Sequence, residues 1–259
     1  MNNMNTIVYC SDGNDIRYLK ASMFSVEKFM NGDVRFIVLT ASPERFDIPG
    51  LEVIDVSEEL KSVGFFPDGW NRKWPYATLF RMMIPLVPEL RDKERVLYLD
   101  TDCLVRSPAV RNLFTVRQDG EVMGSKDGNG RCTRILKNIY SDLCLTARVQ
   151  VKKRLWSLHR IQGATYVNAG VLLYFPQSIH KDWYRQRLKW FWEAECRGKF
   201  RYLDQDFVNS MMRVGLLDQK FNVFSTKNRI ADPYIRHFIC RTKPRMIEEA
   251  KGMGYTEDE

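Results

Sequence analysis

No Cys-x-x-Cys pair and no regular spacing join the six cysteines, at positions 10, 103, 132, 144, 196 and 240. That excludes the common zinc-site spacings and offers no disulfide framework, so the thiols read as reduced and the protein as cytoplasmic. No apolar run approaches the roughly 20 residues needed to span a bilayer. The polar stretch Met1 to Thr6 leads directly into Ile7-Val8-Tyr9, so no signal peptide is expected. Internal repeats and an inter-domain linker are missing as well. Helix-turn-helix, RNP and zinc-finger patterns are absent, so no nucleic-acid partner is expected despite a formal charge of +8. A basic solvated surface accounts for that charge, as would a polyanionic substrate or an anionic membrane. What is left is a chain of 259 residues with ordinary globular composition, enough for one large α/β domain or two small ones.

The most informative stretch is Arg95 to Pro108. Val96, Leu97, Tyr98 and Leu99 form a short apolar run, as in a strand buried on both faces. Asp100 and Asp102 follow where that run should reach the sheet edge. In an extended backbone, residues two apart point to one side, so both carboxylates could face one ion. Such hard oxygen ligands suit Mg²⁺ or Mn²⁺, and those ions suit phosphate-bearing substrates. Without a cation the two carboxylates would repel, so an amide at Asp102 is expected to leave the metal-free fold as stable as before or slightly more so.

Around this stretch the pattern alternates. Asn5 to Cys10 predicts a first strand and Ser11 to Asn14 the turn that closes it. Asp15 to Met30 has apolar residues at helical spacing and ends at Asn31-Gly32. Val34 to Leu39 and Leu51 to Val56 predict further strands. This rhythm predicts a mostly parallel sheet with helices on both faces, whose ligands collect beyond the carboxyl ends of the strands. Lys61 to Tyr76 is irregular, and Ala77 to Leu86 reads as a helix carrying Arg81 among apolar neighbours. Arg81 could reach a phosphate or carboxylate, or snorkel to solvent. Ala109 to Phe114 reads as a short helix, and Glu121 to Ser125 and Tyr166 to Phe175 as strands. Between those strands, 127–162 reads as an insertion forming a lid or acceptor-side wall, with Lys152-Lys153-Arg154 and Trp156 in it. Lys181 to Lys199 predicts a helix whose Trp183, Trp190 and Phe191 belong to the core. Asp204-Gln205-Asp206 should precede a short helix through Met212, and Asp204 could cap that helix. Leu216 to Phe224 reads as strand and turn, and Tyr234 to Ile239 as a last strand. A single domain over 1–247 followed by a flexible tail, 248–259, is expected.

In order and spacing these landmarks resemble the retaining glycosyltransferases of family 8, from Ile7 to about Pro244. Ile7-Val8-Tyr9-Cys10-Ser11-Asp12-Gly13-Asn14 is similar to the family's uridine-binding strand and turn. Phe80-Arg81 stands at its nucleotide-contacting arginine, and Tyr98-Leu99-Asp100-Thr101-Asp102 resembles its metal motif. Val167-Asn168-Ala169-Gly170-Val171, Tyr202-Leu203-Asp204-Gln205-Asp206, and His237 with Lys243-Pro244 resemble three further signatures. Cys240 and Arg245 depart from the last one, which usually has glycine and tryptophan there. That glycine lets the backbone approach the diphosphate closely.

The resemblance implies a GT-A type, Rossmann-like fold and transfer of a hexose from a UDP-sugar, UDP-galactose or UDP-glucose, to a hydroxyl of a glycan. It assigns the donor to Cys10, Ser11, Asp12, Asn14, Arg81, Asp100, Thr101, Asp102, Asn168, Ala169 and Lys243. Mn²⁺, or Mg²⁺, would sit on Asp100, Asp102 and His237, an O,O,N set that suits Mn²⁺ better. Asp204 and Gln205 would lie beside the anomeric carbon. Gln205 is a poor nucleophile, because an amide oxygen is weakly basic, so front-face attack with the leaving phosphate as base is favoured. The implied acceptor is a surface glycan, in lipopolysaccharide or capsule synthesis, or a lipid-linked glycan, with peripheral contact at the inner face of the cytoplasmic membrane. A glycogenin-like or protein-directed glucosyltransferase and a catalytically silent nucleotide-sugar-binding module are the alternatives.

Overall fold

The computed structural model describes residues 4–32, 34–65, 75–127, 166–195, 202–226 and 230–257. The expected insertion over 127–162, with its basic cluster at 152–154, lies outside these residues apart from Asp127. Seven strands form one sheet in the order β3-β2-β1-β4-β7-β6-β8. These are β1 (Asn5–Cys10), β2 (Val34–Thr40), β3 (Leu51–Asp55), β4 (Val96–Leu99), β6 (Val122–Lys126), β7 (Val167–Tyr174) and β8 (Val214–Leu217). Pairing is parallel except where β7 runs against β4 and β6. Alternate residues feed two cores, Val8, Tyr98 and Leu172 on one face and Ile7, Leu97 and Leu173 on the other. The apolar run 96–99 is fully buried for this reason.

The reversed direction of β7 positions the site. β1 and β4 point their carboxyl ends at one sheet edge, and β7 brings its amino end, Asn168-Ala169-Gly170, to that same edge. A second sheet, β5-β10-β9, sits beside it, made of β5 (Cys103–Val105), β9 (Val223–Phe224) and β10 (Ile235–His237). These strands are two or three residues long, too short for periodicity to reveal.

Several local expectations are corrected. Tyr76–Met83 is a 3₁₀ helix rather than an α-helix over 77–86, with an apolar surface buried nearly all round. Asp204, Gln205 and Asp206 lie inside the first turn of the helix Leu203–Met211. There Asp206, not Asp204, accepts the orphan N–H of Tyr202, at 2.9 Å. The helix Lys181–Glu195 buries Tyr184, Leu188 and Phe191, whereas Trp183 is 51% exposed and packs edge-on against half-buried Trp190. Its apolar stripe passes one position away from Trp183. The start of the expected tail, 248–252, is instead the end of a helix, Lys243–Gly252, whose Met246, Ile247 and Ala250 are buried against the helix α1 (Ile16–Met30). Tyr255 continues that contact against Phe24. Among the described residues no helix is long and apolar enough to cross a membrane.

Candidate active site

A cleft of about 540 Å³ opens where the ends of β1 and β4 meet the start of β7. Every residue singled out above for donor, metal or chemistry lines it. Asp100 and Asp102 converge by a different route from the one expected. The chain is not extended there but turns, with Cys103 N–H donating to Asp100 C=O at 3.0 Å. Both ends of that turn are tied to neighbouring strands. Asp100 N–H donates to Gly170 C=O, and Phe238 N–H donates to Asp102 C=O, each at 2.8 Å. The pairing of β10 with β5 sets His237 opposite Cys103. Its Nε2 therefore lies 3.1 Å from Asp102 Oδ1 and 3.4 Å from Asp100 Oδ2.

Gly170 makes this packing feasible. A Cβ there would lie 2.2 Å from His237 Cε1 and 3.0 Å from Asp100 Oδ2. The imidazole thus occupies space that any other residue would fill.

The polarity of the surrounding hydrogen bonds follows from two backbone N–H groups. Gly170 N–H donates to Asn168 Oδ1 at 2.9 Å, which orients that amide. Asn222 Nδ2 donates to the same oxygen, leaving Asn222 Oδ1 to accept from His237 Nδ1 at 3.1 Å. The proton of a neutral His237 therefore belongs on Nδ1, and Nε2 faces the two carboxylates with its lone pair. In the other direction Asn168 Nδ2 and Ala169 N–H both donate to Gln205 Oε1, at 2.9 and 3.2 Å. Gln205 Nε2 then donates to Asp127 Oδ2 at 3.1 Å. Asn222 and Asp127 carried no signal in the sequence. Neither did Asp15, which accepts from both Ser11 and Thr101 and so ties the first turn to the Asp-x-Asp turn.

Two carboxylates fare in opposite ways. Burial pushes Asp102 up, but His237 and Lys243 (Nζ at 2.9 Å) outweigh it and hold the carboxyl down at about 2. Burial pushes Asp204 up to about 6, although Arg81 lies 3.1 Å away. Arg81 is shared: it also pairs with Asp100 at 2.9 Å and donates to Ala169 C=O. It is 6% exposed and stacks on Tyr98 at 4.6 Å, so it does not snorkel. Burial works against the charged form of His237, but Asp102 more than compensates and raises its pKa. The cleft thus alternates charge, from Lys243 through Asp102, His237, Asp100 and Arg81 to Asp204.

The donor set fits a divalent cation. One oxygen each of Asp102 and Asp100 lies 3.1 and 3.4 Å from the imidazole Nε2, whose ring is oriented through Nδ1 by Asn222. Cys103 Sγ also lies within 4.8 Å of the Asp102 and His237 ligand atoms. It donates to Gly170 C=O, and Mg²⁺ or Mn²⁺ prefers a hard carboxylate oxygen to a soft sulfur, which makes Asp100 the better third ligand.

The sequence model of glycosyl transferase family 8 matches residues 6–244. The chain belongs to glycosyltransferase family 8. No curated protein is similar to it in overall sequence. This family 8 chain does resemble solved structures over nearly its whole length. The galactosyltransferase LgtC, solved with donor and acceptor sugar analogues, is 23% identical, with 98% of each chain covered and a TM-score of 0.65. GlyE of Streptococcus pneumoniae TIGR4 is 18% identical over 95% of this chain and 60% of that one, with a TM-score of 0.58. Mouse xyloside xylosyltransferase 1 is 13% identical over 92% and 98%, at 0.55. The fold is the GT-A type, and the activity class is glycosyl transfer.

Within this family 8 fold, Cys240 keeps the backbone conformation for which the usual glycine is suited. Its φ is +53°, in the left-handed region, and its side chain is exposed at the cleft. Relief of that strain is worth about 1–2 kcal/mol, against about 0.5–1 kcal/mol for the added freedom of the unfolded chain. Cys240→Gly is therefore expected to raise stability by about 0.5–1 kcal/mol. The urea midpoint at constant m measures this, and a lower midpoint would contradict it. Arg245 is exposed on the following helix.

Proposed function

We propose that the protein transfers a hexose from a UDP-sugar to a glycan hydroxyl with retention of anomeric configuration, using a divalent cation held by Asp100, Asp102 and His237. The observation that carries this reading is that His237 Nε2 lies 3.1 Å from Asp102 and 3.4 Å from Asp100, with Arg81 on Asp100 and Lys243 on Asp102. When bound, Mn²⁺ or Mg²⁺ supplies positive charge for the leaving diphosphate. Lys243 adds a second charge to the diphosphate from the C-terminal side of the cleft. Asp12 and Asn14 offer the uracil edge its partners at the end of β1.

Arg81 holds Asp204 toward the donor sugar, and the carboxylate stabilises oxocarbenium character as the anomeric bond breaks. Gln205 acts by position rather than as a nucleophile, because its carbonyl oxygen already accepts two N–H bonds. The leaving phosphate then serves as the base for front-face attack by the acceptor hydroxyl.

UDP-galactose and UDP-glucose are the proposed donors, in keeping with the likeness to a galactosyltransferase. The proposed acceptor is a surface or lipid-linked glycan, approached at the inner face of the membrane by a protein of charge +8 with Trp183 exposed.

UDP at 100 times its Kd should add about 2.7 kcal/mol to the stability of the native state. For a chain of this size that raises Tm by roughly 5–10 °C. ADP and GDP should do less. Differential scanning fluorimetry with Mn²⁺ and each diphosphate is the measurement, and equal shifts with all three would remove the uridine assignment. A donor-hydrolysis screen across UDP-sugars with Mn²⁺ then identifies the sugar.

A further inference from the structure

We infer that Asp127 is a positioning residue for the reaction, acting by locking the amide of Gln205 in one orientation. The inference rests on the proposed place of Gln205 beside the anomeric carbon. Asp127 lies one position beyond β6, and its backbone N–H is held by Tyr166 C=O at 2.8 Å. It is 4% exposed, Gln205 is 6% exposed and Ala169 is 3% exposed. A carboxylate this deeply buried is expensive unless it meets a donor. One donor it meets is Gln205 Nε2.

An amide has two ends, and only one arrangement satisfies these partners. Ala169 N–H is a fixed donor and requires the carbonyl end of Gln205, while Asp127 accepts only and requires the NH₂ end. Turning the amide over would set an NH₂ against an N–H and a carbonyl oxygen against a carboxylate. The Asp127 contact thus joins the Ala169 N–H in fixing which end of Gln205 each partner meets, and the carbonyl end is the one Asn168, itself oriented by Gly170 N–H, donates to.

A pair of carboxyl and amide side chains can be exchanged as a unit, and that provides the test. In Gln205→Glu two carboxylates would face each other in a buried site, and kcat should fall by at least a hundredfold. In Asp127→Asn the new amide can still accept from Gln205 through its oxygen, so kcat should fall only about threefold. Combining the two restores a donor at 127 and an acceptor at 205, so the double variant should recover at least tenfold over Gln205→Glu alone. Asp127→Leu, with no acceptor, should lose about ten- to a hundredfold in kcat, with the donor KM changed less than threefold. Steady-state transfer kinetics on the full chain with Mn²⁺, and melting temperatures for each variant, are the measurements. Additive effects in the double variant, with no recovery, would overturn this inference. An active Gln205→Ala would instead remove Gln205 from the chemistry, and the inference would fall with that reading. Gln205→Ala inactive but folded, together with recovery in the double variant, supports both.

Discussion

Asp102→Asn is expected to reduce transfer by about a thousandfold, or roughly 4 kcal/mol of transition-state stabilisation. The carboxylate lies 3.1 Å from His237 Nε2 in the proposed cation site, and an amide there would remove a charge and an anionic ligand. The same substitution should destabilise the metal-free fold. Two crowded carboxylates suggested the reverse, but the structure sets cationic partners against both. Asp102 has His237 and Lys243, and Asp100 has Arg81. The Asp102 carboxyl stands at about 2, below the unfolded value. A depressed folded pKa contributes stability that is present above about pH 4 and lost as pH falls through 2. The contribution at neutral pH is about 2 kcal/mol. Denaturant midpoints of wild type and Asp102→Asn should therefore differ at pH 7 and converge toward pH 2. Transfer that survives in the variant and resists EDTA would rule out the metal mechanism.

The second large effect runs the other way in stability. Asp204→Asn is expected to lower kcat by about a hundredfold or more, if the carboxylate has its proposed role of stabilising the developing oxocarbenium ion. Yet the variant should be more stable than wild type at pH 8. Burial pushes the Asp204 carboxyl up to about 6, so the ionised form is disfavoured in the folded state. A raised folded pKa contributes stability that is complete below about pH 4 and lost as pH rises through 6. An asparagine mimics the protonated form at every pH. Its advantage should reach about 3 kcal/mol at pH 8 and disappear below pH 4. Paired unfolding curves at pH 4 and pH 8 decide the matter, and a variant less stable than wild type at pH 8 would show that the Arg81 ion pair dominates. Loss of kcat with a gain in stability would mark Asp204 as a residue kept for chemistry at the expense of the fold.

Much of the architecture was legible because it is local. The run 96–99 is apolar at every position, which only a strand covered on both faces tolerates, and all four side chains are buried. The helix α1 declared itself by spacing and by its Asn31-Gly32 stop, where Asn31 takes the left-handed cap conformation. Other features misled for equally physical reasons. Trp183 reads as core by composition, but its place on the helix puts it off the buried stripe. The last dozen residues look polar and frayed, but Ala250 and Tyr255 join Ile247 just before them on one apolar side, and α1 offers that side a surface.

By itself the sequence determined which elements form, which of them are buried, and that two carboxylates follow a central strand. Through the family motifs it also named the residues that line the cleft. It could not determine what neutralises what. Most of those partners are more than a hundred residues apart in the chain: Lys243 on Asp102, His237 between the two aspartates, and Arg81 on Asp204 as well as on the nearer Asp100. The antiparallel insertion of β7 and the three-residue pairing of β5 with β10 bring them together. Neither leaves a periodic trace. Whether a carboxylate strengthens or weakens the fold depends on the neighbours it acquires when buried, and only the tertiary structure supplies those neighbours.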